Sequence, residues 1–217
     1  MGSRGQDRGK ALSKGSGENV TIVNETDVWT YRHRDGNEPF VDAINSGARR
    51  IQNDFEDMMQ AVNYVSAAEL GGADKHRILG YFSETDGTVA INRNYTNIDK
   101  MDRVYDAAVK SGYHPSRGNL SGTEAVTLHE MGHALTAYVQ KRMNSGSFDA
   151  AAQRIVRAAY KSVDGRGGTY KWAGGISGYA QQNYAECIAE AVADYYCNGR
   201  KASPESRAIM NVLRRYR

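Results

Sequence analysis

From Phe40 onward the apolar positions fall at Ile44, Ala48, Ile51, Phe55, Met58, Val62 and Val65, in steps of three and four. That spacing predicts one long amphipathic helix, opened by Pro39 and closed before the "GGAD" of residues 71–74. The period then changes. "RILGYF" and "TVAIN" flank the turn-rich "SETDG", the pattern of a β-hairpin or of two adjacent strands. A second helix is predicted over residues 98–110, capped by Thr96 or Asn97, followed by the loop "SGYHPSRGNL". Ser121 and Glu124 make a capping box for a helix reaching about Met143, and Ser147 caps another that ends near Val163. Six glycines within residues 165–178 predict a mobile or tightly turned loop. Asn183 and Glu186 open a helix that stops at Gly199, and Ser203-Pro204 opens the last one. The expectation is an α+β fold, helix-dominated, with a small early β-sheet.

A chain of 217 residues is long enough for one domain with a proper core and short for two. Residues 1–18 hold five glycines, alternating charges and almost nothing to bury, so they read as a disordered basic arm ahead of a domain at 19–217. Gln6 stands where an N-myristoylation signal needs Ser or Thr. No apolar run nears the roughly 20 residues of a membrane span, and no secretion signal opens the chain. The chain is therefore expected to be soluble and cytoplasmic, not secreted by a classical signal. The formal charge of +3 is uneven, with six basic side chains against one acidic over residues 199–217 and a mildly acidic body. Few aromatics interleave those cations, and late cations complement a helix dipole, so nucleic acid is not an expected partner. Cys187 and Cys197, ten residues apart on one predicted helix, lie too far apart to bridge and read as buried free thiols.

The chemistry concentrates in "VTLHEMGHAL", residues 126–135. His129 and His133 stand at i and i+4 and so share a helix face, where two imidazoles can meet one ion. Glu130 points about 100° round the helix, beside the ion, where a base acting on water must sit. Gly132 in mid-helix costs about 1 kcal/mol unless another backbone must come close. Zinc asks for a third protein ligand. His33, His76 and His114 all precede the motif and no histidine follows it, which leaves a carboxylate: Glu186, Glu190 or Asp194, spaced every four residues along one alanine-lined helix face. The glycine-rich stretch lacks the Lys-Ser/Thr ending of a phosphate-binding loop.

"HEMGHAL" followed by "ISGYAQQNYAECIAEAV" resembles the gluzincin metallopeptidases typified by the catalytic domain of anthrax lethal factor and its phage and mobile-element relatives. The likeness covers roughly residues 77–212, and "SGYHPSRGNLSGTEAVTLHEMGHAL" is similar to the phage head-morphogenesis branch in particular. The resemblance implies a zincin-like fold, a zinc cofactor, His129, His133 and Glu186 as metal ligands, and Glu130 as general base. It makes Glu190 a carboxylate that orients a ligand imidazole, and Tyr179 the hydroxyl that stabilises the oxyanion or protonates the leaving amine. An extra glycine at Gly178 and a longer interval of 53 residues between His133 and Glu186 depart from the family pattern, so Tyr184 and Tyr170 stand as alternatives to Tyr179. His114 is a further polar residue that could reach the cleft rim. By zincin analogy "TVAIN" would be an edge strand above the cleft, pairing with an extended substrate. The function so implied is a zinc-dependent endopeptidase encoded by a phage or mobile element and acting on a protein or peptide substrate. Two alternatives are a virion or head-assembly component that uses the fold to bind a partner, and an effector toxin that cleaves a host protein.

Overall fold

A computed structural model describes residues 20–21, 30–31, 38–60, 64–68, 76–85 and 87–217. The arm expected at residues 1–18 lies outside them. Five strands are described: β1 (Val20–Thr21), β2 (Thr30–Tyr31), β3 (Tyr64–Ala68), β4 (Gly80–Ser83) and β5 (Thr88–Asn92). Seven α-helices are described as well: α1 (Glu38–Gln52), α2 (Ile98–Lys110), α3 (Gly122–Arg142), α4 (Phe148–Ser162), α5 (Gly168–Ala173), α6 (Tyr184–Asn198) and α7 (Pro204–Leu213). The chain is thus α+β and helix-dominated, with its strands early. β1 and β2 form an antiparallel pair, while β3, β5 and β4 form a sheet in that order, with β3 parallel and β4 antiparallel to β5.

The middle of the molecule is α3, which has no solvent face along most of its length. Leu128, Met131 and Leu135 are fully buried, and so are the small residues Ala125 and Ala134. A helix enclosed on all sides must be covered by several neighbours, and α6, α1, α2, α4 and the β4–β5 hairpin all pack on it. Gly132 lets α6 come close: a Cβ there would lie 2.8 Å from the Ala189 Cα. The expected close approach of a second backbone is therefore present. The capping box also forms, with the Ser121 hydroxyl accepting from the Glu124 N–H and the Glu124 carboxylate accepting from the Ser121 N–H at 2.9 Å. Ser147, Asn183 and Ser203 cap α4, α6 and α7 as their positions predict, and of the two candidates for α2 it is Asn97 that caps. Cys187 and Cys197 are free, and burial pushes both thiols up to about 12.

Three expectations are corrected. The long helix from Phe40 ends at Gln52, continues as a 3-10 turn over Glu56–Gln60, and gives way to β3. Phe55 and Met58 remain in the core, so the apolar period survives while the backbone changes. The break coincides with Asp54, which accepts from the Tyr196 hydroxyl at 2.8 Å and from Arg214 at 2.7 Å, long-range bonds invisible to a local pattern. Second, β5 is a central strand and not an edge. All five of its residues are buried, whereas β4 alternates buried and half-buried positions and forms the edge on its side of the sheet among the described residues. Third, the glycine-rich stretch holds the short helix α5, whose Trp172 packs edge-on against Tyr160 at 5.9 Å between ring centroids. Gly167 and Gly168 start it with φ of 78° and 84°, a left-handed pair that side chains would disfavour.

Candidate metal centre

α3 and α6 supply the site from two facing helices, each carrying its polar residues one turn apart. His129 and His133 come from α3, Glu186 and Glu190 from α6, and all four are buried. The Nε2 atoms of His129 and His133 stand 3.1 and 3.4 Å from one and the same Glu186 oxygen. Ligand atoms held about 2.0–2.1 Å from a tetrahedral ion are about 3.3–3.4 Å apart, so each imidazole stands from Glu186 at about the spacing of two ligands of one zinc. Glu130 lies alongside, with a carboxylate oxygen within 4.8 Å of a ring nitrogen of each histidine. It is completely buried, and neither of its oxygens has a hydrogen-bond partner among the described residues.

Charge makes the same point. Glu130, Glu186 and Glu190 are three carboxylates in a water-poor interior, an arrangement that is costly without compensating positive charge. The imidazoles provide part of it. Burial works to raise the Glu186 carboxyl, yet His133 and then His129 hold it well below its usual range. Burial likewise opposes ionisation of Glu190, and His114 and His129 bring it down to about 2. Burial disfavours the charged form of His129, but its contacts with Glu186 and Glu190 raise it well above the ordinary histidine value. Glu130 is compensated least: burial dominates and pushes its carboxyl up to about 7. A divalent cation would balance this excess of carboxylates, and a donor set of two imidazoles and one carboxylate is one that zinc takes.

Glu190 is the centre of a second ring of contacts. One oxygen lies 2.7 Å from His129 Nδ1 and 2.9 Å from His114 Nδ1, and the other accepts from the Ser177 hydroxyl at 2.7 Å. With Nδ1 facing Glu190, Nε2 of His129 faces Glu186. His114 therefore sits beneath the centre and not at a cleft rim, stacked on Tyr105 at 5.3 Å with the rings 6° from parallel. Tyr179 stacks on the His129 ring at 5.8 Å and meets His114 edge-on at 5.5 Å. Its loop is tied to the "GYH" loop by two backbone bonds, Gly178 N–H to Gly112 O and Tyr179 N–H to Tyr113 O. Of the alternatives, Tyr170 is 69% exposed, while Tyr184 lines the adjoining cleft with its hydroxyl 3.5 Å from that of Thr169. Asp194 is not brought to the centre. It accepts from the Ser203 N–H and from Asn198, both at 2.8 Å, and so ties α6 to the start of α7.

Three contributors escape sequence reasoning. Ser177 lies inside the quoted "ISGY" stretch, but nothing there assigns it a partner. Tyr113 packs at 4.9 Å on Tyr179, a contact made by loops 66 positions apart in the chain. Gly80 on β4 passes so near the motif helix that a Cβ would lie 2.9 Å from Glu130 Cγ. Only the packing of the hairpin on α3 reveals that constraint. Compared with known proteins, the chain matches no family model, no curated protein and no solved structure.

Proposed function

We propose that the chain is a zinc-dependent endopeptidase of zincin-like fold, with His129, His133 and Glu186 as the metal ligands and Glu130 as the general base. The observation that carries this reading is the convergence of both imidazole Nε2 atoms on one Glu186 oxygen, beside a buried carboxylate that no other described group satisfies. Bound there, zinc supplies Lewis acidity toward a peptide carbonyl and toward the attacking water. Glu130 accepts the proton of that water and delivers it to the leaving amine. Burial disfavours the charged carboxylate of Glu130 in the metal-free site, and a cation bound beside it would favour the ionised form that a base needs. Tyr179, stacked on His129, donates its hydroxyl to the carbonyl oxygen as negative charge develops there. Glu190 keeps the His129 ring in its ligating orientation. The edge strand β4, laid against Glu130 through Gly80, gives an extended peptide a backbone to pair with. Origin in a phage or mobile element, action in a host cell or virion, and a protein substrate are parts of the proposal that rest on the sequence resemblance.

The test pairs metal analysis with proteolysis of casein or a peptide library. The protein should hold one zinc per chain. Glu130→Gln should keep that zinc and lose about 10²–10⁴ in rate, the usual contribution of a positioned base. Tyr179→Phe should also keep zinc and lose on the order of 10²–10³, as for one oxyanion donor. Zinc-loaded protein that cleaves nothing, or Glu130→Gln at the wild-type rate, overturns the reading and favours a partner-binding role for the fold.

A further inference from the structure

Next to His133 the surface opens into a cleft of about 250 Å³ lined by Phe82, Phe148, Tyr184 and Ala185, with Glu84, Asp149 and Asn183 completing the wall. Small-molecule sites usually measure about 300–1,000 Å³, so this space suits a single large side chain. Its composition is sorted. Phe82 and Phe148 are buried in its wall, while Glu84 and Asp149 are exposed carboxylates that each already have a partner. Among the described residues no cation lines it, and Arg157 reaches the Tyr184 hydroxyl without being part of the wall.

We infer that this cleft selects lysine or arginine beside the scissile bond, an inference that rests on the endopeptidase reading above. An aliphatic stem would lie along Phe82 and Phe148, and the cationic head would reach Glu84, Asp149 and the Asn183 side chain. Lys and Arg are the side chains that are apolar along their length and charged only at the end. A Leu or Phe would fill the walls but leave the carboxylates no new contact, and an acidic side chain would face like charge. Both carboxylates are exposed, so an arriving cation can share them with groups they already touch. Phe82 belongs to the edge strand β4, which places the selecting wall on the strand that would pair with the substrate backbone.

The experiment is cleavage mapping with zinc-loaded protein on a peptide library randomised at both positions flanking the cut. Lys and Arg should be enriched at one flank by about tenfold in kcat/KM over Leu and Met, as two partly exposed charge contacts allow. The preference should shrink to less than about threefold in the Glu84→Gln/Asp149→Asn double variant, and Asp149→Lys should shift it toward acidic residues. Zinc content and melting temperature of each variant establish that the fold is kept. Enrichment of apolar residues at both flanks, or a Lys/Arg preference unchanged in the double variant, overturns the inference while leaving the peptidase reading intact. Absence of any Glu130-dependent cleavage removes both.

Discussion

His129 and Glu186, the proposed ligands, are also a charge arrangement. Each holds the other's ionisation state against burial, and a cation between them would take over that task. Glu186→Ala should therefore abolish zinc retention, whereas Asp194→Ala should retain the metal and lose only the stability of the α6–α7 corner. Metal analysis after dialysis against a weak chelator gives the order, and the reverse order would move the third ligand to Asp194. Glu190→Gln belongs between them. It keeps the shape but weakens the grip on His129 Nδ1, and zinc affinity should fall about 10–100-fold, as for other partners behind a metal ligand.

At the level of elements, the site depends on how close α3 and α6 can come. Gly132 sets that distance, since an added methyl would overlap the Ala189 backbone and also press on Val192 at 3.2 Å. Gly132→Ala should gain about 1 kcal/mol in helix propensity and lose about 1–3 kcal/mol to overpacking. The net change is a lower melting temperature. It should also weaken zinc binding, because His129 and His133 ride on one helix and Glu186 on the other. Gly146→Ala, where an added Cβ meets nothing within 4 Å, is the matched control and should leave both properties nearly unchanged. Equal behaviour of the two variants in thermal melts and zinc titrations would show that helix spacing is not what Gly132 supplies.

At the scale of the whole molecule, the chain's last turns are fastened to the end of its first long helix. Asp54 accepts from Tyr196 on α6 and from Arg214 just beyond α7, and Arg217 approaches at 3.4 Å. Partial burial works to raise the Asp54 carboxyl, but Arg214, Tyr196 and Arg217 outweigh it and hold the group below its ordinary range. A depressed carboxyl contributes stability that is fully present above its unfolded value, about 3.9, and is lost as pH falls through the lower folded value. Asp54→Asn should cost about 1–2 kcal/mol at pH 7, the value of a partly exposed charge-assisted bond. It should also make unfolding less dependent on pH below about 4. Denaturant titrations of both proteins at pH 7 and pH 3 measure the difference. A gap between them that is equally large at both pH values would exclude the carboxylate as its source.

What the sequence determined by itself is local. Caps at Asn97, Ser121, Ser147, Asn183 and Ser203, the i and i+4 histidines, and the four-residue spacing of Glu186 and Glu190 are set by contacts within a turn or two, so the chain spells them out. The periodicity from Phe40 to Met58 identified the buried positions correctly, yet it could not announce the end of α1, because that end is fastened by Tyr196 and Arg214 from far along the chain. The same limit hid the central place of β5, the position of His114 against Glu190, the contact of Ser177 with Glu190, and the passage of Gly80 over Glu130. Three evenly spaced carboxylates on α6 were equivalent in sequence. Only the angle at which α6 packs on α3 brought Glu186 to the imidazoles, left Glu190 behind them, and gave Asp194 to the next helix, because packing geometry decides what a repeated spacing leaves equal.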